Sequence, residues 1–185
     1  MIDAPMPLPA PSAARSRVHT RSIELNGFRR EDGLFEVEGH LTDVRPEAIS
    51  YPGGGRAAGD PIHSMWLRLR VDGTAAIVAV ELATDAAPFE TVCGSIAPAY
   101  QGLVGLRIGP GFRGRVQRLL AGVRGCTHQT ELLMAMATAV LQTLAGNVEQ
   151  PADQKPFSLD GCHALATDGP QVAAFYPRWV RKAEA

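Results

Sequence analysis

An alternating run of apolar and polar residues between His63 and Asp72 is the feature that most constrains this fold. One alternate set is mainly apolar, and the other carries charged side chains and a tryptophan. The apolar set is His63, Met65, Leu67, Leu69 and Val71, and the other is Trp66, Arg68, Arg70 and Asp72. A period of two predicts a β-strand with one face on a hydrophobic core and with His63 at the end of that face.

Neighbouring segments predict further strands joined by tight turns. Asp72-Gly73 precedes a strand expected over residues 75–84, and Asp32-Gly33 separates strands expected over 21–28 and 34–43. In the last of these, Phe35, Val37, Gly39 and Leu41 share one face, and Glu36, Glu38, His40 and Thr42 share the other. Consecutive strands with short turns predict an antiparallel meander of about three to four strands.

The apolar spacing changes to that of helices after Pro88. We expect a short helix over 92–104, beginning around Cys93, a basic amphipathic helix over 112–121, and a long helix from Cys126 to about Leu144. Strands first and helices afterwards predict an α+β fold with the helices packed on one face of the sheet. The expected parts are a disordered Pro/Ala-rich tail (1–20), an α+β domain (21–149) and a C-terminal extension that packs on it (150–185).

The composition of the chain limits which partners and which cellular compartment we expect for it. The 185 residues carry a formal net charge of -1, which gives no general attraction to nucleic acid or to anionic membranes. No apolar run approaches the roughly 20 residues that span a bilayer, and the N-terminal residues lack the pattern of a signal peptide. Three cysteines cannot all pair internally, so we expect a reduced, cytoplasmic protein. A small molecule or another protein is the expected partner, and the oligomeric state is open.

Cysteine and histidine side chains at a strand end and at helix starts predict a metal site. Cys126 and His128 open the longest helix, where unpaired N–H groups and the helix dipole favour a thiolate. Sulfur and imidazole ligands together suit zinc or iron. The expected ligands are His63, Cys93, Cys126 and His128, with Asp60 or His40 as a replacement for one of them. Asp43 either ends its strand or faces the same cleft, and His19 is assigned no role.

Two other interpretations stay open. In the first, Cys126 attacks an acyl or other electrophilic substrate, with His128 or His40 as the base. Glu131 then orients the imidazole of His128, takes part in proton transfer, or only favours the helix dipole. In the second, the cysteines merely pack, and the protein is a non-catalytic accessory or interaction module. The role of Cys162 and His163 is open in every case.

Several motifs resemble those of a bacterial family of unknown function. They are Arg21-Ser22-Ile23, Glu38-Gly39-His40-Leu41-Thr42-Asp43, Gly125-Cys126-Thr127-His128, Cys162-His163-Ala164-Leu165 and Tyr176-Pro177-Arg178-Trp179. This resemblance covers nearly all of the chain that is expected to be ordered, and it implies no activity.

A second resemblance is to the iron–sulfur cluster scaffold fold. It is carried by Gly59-Asp60, the strand from Met65, Cys93-Gly94 and Cys126, in that order. The resemblance implies that Asp60, Cys93 and Cys126 are the ligand-bearing positions. Ala58 stands where those scaffolds carry their first cysteine, so the resemblance bears on the fold and the location of a site rather than on cluster assembly.

Overall fold

The computed structural model describes residues 8–52, 54–149, 151 and 153–181, except for the side chain of Glu90. Two compact units make up the chain, Met1–Ala145 and Gly146–Ala185. The tail expected over 1–20 lies partly outside the described residues, and the boundary expected after residue 149 stays a prediction. No described helix is both long enough and apolar enough to cross a membrane.

Within the described residues of the first unit, six strands form two antiparallel sheets. They are β1 (Thr20–Arg29), β2 (Phe35–Val44), β3 (Ile49–Tyr51), β4 (Gly54–Arg56), β5 (Pro61–Val71) and β6 (Ile77–Ala86). The main sheet has the order β1-β2-β5-β6, and β3 and β4 form a separate hairpin between β2 and β5 in the chain. The predicted antiparallel meander followed by helices, and with it the α+β class, is confirmed. The likeness to the iron–sulfur scaffold fold stays a prediction.

Four α-helices follow the strands in the part of the chain that the structure describes. They are α1 (Glu90–Gly94), α2 (Phe112–Leu120), α3 (Thr127–Leu144) and, in the second unit, α4 (Pro170–Phe175). The helices predicted over 112–121 and from Cys126 to about Leu144 are confirmed. The single helix predicted over 92–104 is wrong, because the end of α1 and a separate 3₁₀ helix, Ala97–Leu103, occupy that segment. Pro98 has no N–H to continue α1 and instead lies in the first turn of the second helix.

Helix α3 lies on the apolar face of the sheet, over β2. Its buried residues are Gln129, Leu132, Leu133, Met136, Val140 and Leu144. Glycines allow the close approach: a Cβ at Gly39 would stand 2.7 Å from Met136 Sδ, and a Cβ at Gly27 would stand 2.0 Å from Thr143 Oγ1. Gly27 pairs near the start of β2, whereas Gly39 lies in its middle. The first turn of α3 is therefore directed toward the end of β2, where Asp43 lies.

Charged and aromatic side chains cover the opposite face of the sheet. Arg68 donates hydrogen bonds to Glu38 at 2.6 Å and to Glu81 at 2.7 Å. Further along, the rings of His40 and Trp66 stack with 3.7 Å between their centres. The predicted alternation along β2 and β5 is thus confirmed, and it puts His40 on the face away from α3.

The second unit consists of short helical turns held by polar contacts. Its 3₁₀ helices are His163–Leu165 and Pro177–Trp179. Asp160 accepts hydrogen bonds from Lys155 Nζ at 2.6 Å and from the backbone N–H of Thr167 at 2.9 Å. These two contacts lower the pKa of Asp160 to about 2. Cys162 is exposed, and the role of the Cys162-His163 pair stays open.

Candidate metal centre

Three side chains form one row across neighbouring strands at one end of the sheet. Arg21 of β1 pairs in register with Asp43 of β2, which pairs in turn with His63 of β5. Asp43 alternates in step with the buried Leu41, so the row lies on the face that α3 covers. Asp43 is only 2% exposed. The strand register therefore brings a buried carboxylate between a guanidinium and an imidazole.

The Asp43 carboxylate is anchored mainly through its Oδ1 atom. Arg21 Nε donates to Oδ1 at 2.8 Å, and His19 Nε2 lies 2.8 Å from the same oxygen. Arg21 Nη2 donates to Oδ2 at 2.9 Å. Burial pushes the pKa of Asp43 upward, but the hydrogen bonds from Arg21 and His19 outweigh it and hold that pKa below its usual value. Asp43 is therefore an ionised, oriented carboxylate.

Two histidines approach the Oδ2 atom of Asp43. His63 Nδ1 lies 3.1 Å from it, and His128 Nε2, from the first turn of α3, lies 3.8 Å from it. The two imidazole rings stack at 3.7 Å with an angle of 28° between their planes. One ligand atom from each of Asp43, His63 and His128 lies within 4.8 Å of the other two. The convergence is close enough for one ion to contact all three side chains.

Both imidazoles favour their neutral form. Burial lowers the pKa of His63, and the neighbouring His128 lowers it further. Burial also lowers the pKa of His128, followed by the charge of Arg21. Although His63 Nδ1 is near Asp43, this buried atom makes no hydrogen bond of proper geometry within the described residues. Because His63 Nδ1 lies near Asp43 without forming a hydrogen bond to it, its lone pair is free to bind another group.

A buried tyrosine fixes the start of α3 and so places His128. The backbone N–H of Cys126 donates to Tyr100 Oη at 3.2 Å, and Tyr100 Oη donates to the Cys126 carbonyl at 3.0 Å. Thr130 Oγ1 lies 2.9 Å from the same Tyr100 oxygen. Burial raises the pKa of Tyr100, so the phenol keeps the proton that it donates. These bonds satisfy backbone groups at a helix end that lacks a side-chain cap.

Cys126 and Glu131 lie beside the histidine–aspartate group. Cys126 is partly buried, and its Sγ atom is 3.9 Å from His128 Nδ1. Glu131 forms an ion pair with Arg21 Nη1. Arg21 thus joins the buried Asp43 to the half-exposed Glu131 at the rim. Of the residues predicted as ligands, the structure brings His63 and His128 together at Asp43, with Cys126 beside His128. The assignment of Cys126 as a ligand stays a prediction.

Three other predicted site residues lie elsewhere. Cys93 is partly buried in α1, Asp60 is exposed before β5, and His40 faces the other side of the sheet. Among the described residues, the group with convergent ligand atoms contains none of them. Their assignment as ligands or as a base stays a prediction.

Sequence reasoning gave no definite role to Asp43 and none at all to Arg21 or His19. Asp43 lies two residues after Leu41, so the alternation alone places this carboxylate on the core face. An acidic residue at such a position needs a partner, and this was the available signal. No comparable signal pointed to His19, because its contact depends on the position of the chain just before β1.

Comparison with protein families gives one match. The family described as "Protein of unknown function (DUF2889)" matches residues 19–142. The match covers the main sheet and the four side chains described above as close to Asp43, which are His19, Arg21, His63 and His128. The Cys162-His163-Ala164-Leu165 and Tyr176-Pro177-Arg178-Trp179 motifs lie outside it, and the motif likeness itself stays a prediction. No curated protein and no solved structure matches the chain.

Replacing Tyr100 with phenylalanine should destabilise the protein. Tyr100→Phe removes the acceptor of the Cys126 N–H and one of two donors to the Cys126 carbonyl, which keeps its bond from the Thr130 N–H. We expect a decrease in the free energy of unfolding of about 1–3 kcal/mol, measured by urea denaturation. Tyr51 is a matched control, because its buried hydroxyl has no hydrogen bond within the described residues. Tyr51→Phe should be neutral or stabilising. Equal losses in the two variants would contradict the role given to Tyr100.

The metal-free protein should lose stability as the pH falls below about 6.5, the ordinary histidine pKa. The folded-state pKa values of His63 and His128 lie below that value, so the unfolded chain binds more protons in this range. Stability is complete above pH 6.5 and decreases as the pH falls through the folded-state pKa values. We expect a shallower decrease for the His63→Gln/His128→Gln double variant in chelator-treated samples. An unchanged slope would show that other groups dominate.

Proposed function

The chain belongs to the DUF2889 family of proteins of unknown function, and we propose that it binds one zinc or iron ion through Asp43, His63 and His128. Two imidazoles and one carboxylate are a common ligand set for these metals. The proposed ligand atoms are Asp43 Oδ2, His63 Nδ1 and His128 Nε2.

The convergence of these three atoms around one small volume supports the proposal most strongly. Asp43 Oδ2 is 3.1 Å from His63 Nδ1 and 3.8 Å from His128 Nε2. Ligand atoms that share one ion at about 2.1 Å lie roughly 3.0–3.5 Å apart, so small shifts would suffice. The lowered pKa values of all three groups agree with it, because a metal ligand must be deprotonated.

Arg21 and His19 are proposed to orient the Asp43 carboxylate. Both contact Oδ1, which leaves Oδ2 directed toward the two histidines. Arg21 Nη2 also donates to Oδ2, but a carboxylate oxygen has a second lone pair for an ion. Such outer contacts fix the direction of a ligand and adjust its basicity. The positive charge of Arg21 lowers the affinity for the ion at the same time.

Cys126 has two possible places in this proposal. Its Sγ lies 3.9 Å from His128 Nδ1, the ring nitrogen that does not face Asp43. We propose that Nδ1–H donates to this sulfur, so that Nε2 keeps a lone pair for the metal. To serve as a fourth ligand, as the sequence predicts, Cys126 would have to move closer to the group formed by Asp43, His63 and His128.

Three protein ligands leave at least one coordination position for water or a small molecule. This is the arrangement of catalytic zinc and of many non-haem iron sites, whereas structural zinc sites have four protein ligands. Bound metal would supply Lewis acidity or an activated water. The proposed partner is a small molecule that reaches this position. Cytoplasmic location remains part of the proposal, because all three cysteines are free thiols.

Titration of chelator-treated protein with Zn²⁺ and with Co²⁺ as a spectroscopic substitute tests this function. We expect about one equivalent to bind, and His63→Ala and His128→Ala should each weaken binding by about a hundredfold or more. His40→Ala is the matched control, because His40 lies on the opposite sheet face, and it should bind like the wild type. Absence of binding by the folded wild-type protein, or equal loss in His40→Ala, would refute the proposal.

A metal-free cysteine enzyme is the second candidate, and one observation favours it. Cys126, His128 and Asp43 follow one another in space in the order of a nucleophile, a base and an orienting carboxylate, with separations of 3.9 and 3.8 Å. This candidate requires an accessible, activated Cys126 and no metal.

Alkylation separates the two candidates. If the protein is a metal-free enzyme, iodoacetamide should modify Cys126 stoichiometrically near neutral pH, faster than Cys93, and His128→Ala should slow the reaction. If it is a metal protein, Cys126→Ser should still bind one equivalent of Zn²⁺, with affinity lowered by about tenfold. Slow alkylation of Cys126 together with metal binding would exclude the enzyme candidate.

A further inference from the structure

The two edge strands of the main sheet, β6 and β1, differ in whether other segments of the chain form hydrogen bonds with them. Along β6, the following loop supplies backbone partners: Ile77 N–H donates to Leu106 O at 2.9 Å, and Gly105 N–H donates to Ile77 O at 2.8 Å. Gln101 Nε2 adds a bond to Val80 O at 3.0 Å. The first part of this edge, from Ile77 to Val80, is therefore covered by the chain itself.

The β1 edge has no such cover within the described residues. β1 pairs with β2 through ten consecutive residues, and no backbone hydrogen bond joins residues 20–28 to any third segment. The β1–β2 register contains no bulge, although the β2–β5 and β5–β6 registers each do. Proline and lysine, which commonly protect an edge, are absent from β1. A long, regular edge of this kind accepts another extended strand.

Apolar side chains accompany this open edge. Ile23 is 40% exposed and Phe28 is 45% exposed. Ile23 pairs with Leu41 and Leu25 pairs with Gly39, so both point to the face that carries α3. They lie at the rim of the covered surface, and Leu25 is partly buried. A strand added here would extend the apolar layer under α3 through Ile23 and Leu25, whereas Glu24 and Phe28 lie on the other face.

We propose that a second copy of this chain covers the edge, with β1 pairing antiparallel to β1 of the other copy. A two-fold axis perpendicular to the sheet produces this pairing and keeps the two α3 helices on one face. In antiparallel pairing, side chains that stand opposite each other lie on the same face. A symmetric register that sets Ile23 of one copy opposite Leu25 of the other forms two such apolar pairs, one on each side of the two-fold axis. A register shifted so that the two Leu25 residues stand opposite each other would instead place Arg21 of one copy opposite Arg29 of the other. The result is one eight-stranded sheet.

The proposed register also predicts where Glu24 lies in the dimer. The Glu24 side chain lies on the other face and would stand opposite its own counterpart at the two-fold axis. Like charges directly opposite each other weaken strand pairing. Glu24 receives a hydrogen bond from Asn26 of its own chain at 3.0 Å, which reduces but does not remove the repulsion. Neutralising Glu24 should therefore strengthen the dimer.

Sedimentation velocity over a range of protein concentrations tests the proposal. The wild type should show a concentration-dependent dimer, and Ile23→Lys should weaken it by about tenfold or more. Glu24→Gln should tighten it by about threefold. Val78→Lys is the matched control: Val78 is 41% exposed on β6, so the same change at the covered edge should leave association unchanged. Circular dichroism checks that each variant is folded.

Hydrogen exchange supplies an independent reading of the same interface. Amides in residues 20–28 should gain protection as concentration rises. A wild-type protein that stays monomeric overturns the proposal. This holds even if residues 20–28 are protected, because another segment or a different protein would then cover the edge. Equal weakening by Ile23→Lys and Val78→Lys, or no effect of either, also overturns it. None of these results depends on metal binding, because Ile23, Glu24 and Val78 are not ligands.

Discussion

The buried carboxylate of Asp43 is the constraint on which the centre of this protein depends. An ionised group at 2% exposure is strongly unfavourable unless opposite charge and hydrogen bonds compensate for its lost hydration. Arg21 provides two of these bonds and His19 provides a further close contact. The two histidines then approach the oxygen that is less fully engaged. The geometry around Asp43 thus follows from the requirement to stabilise one buried charge.

Two features of the fold position the side chains that surround the Asp43 carboxylate. The register of three strands sets Arg21, Asp43 and His63 side by side, so their proximity requires no long loop. The fourth group, His128, arrives from α3, whose start is held by Tyr100 and whose approach to the sheet depends on Gly39. A framework of strands and one anchored helix therefore positions the side chains that converge on Asp43.

The sequence predicted the sheet better than the centre. Period-two alternation located the core faces of β2 and β5, and Asp-Gly turns indicated their antiparallel order, because both signals are local. The segment around Cys93 was predicted less well, since Pro98 divides what its apolar spacing suggests is one helix. The contacts between Asp43 and His128 join residues far apart in the chain. No local sequence pattern encodes these contacts.

The imidazole nitrogens themselves give the most direct test of the proposed ligand set. Long-range ¹H–¹⁵N NMR of the histidine rings, recorded before and after one equivalent of Zn²⁺, distinguishes a metal-bound nitrogen from a protonated or free one. We predict metal-type shifts at His63 Nδ1 and His128 Nε2, with the His40 ring unchanged. Rings of His63 and His128 that stay unaltered while zinc binds elsewhere, or does not bind, would contradict a metal centre at Asp43.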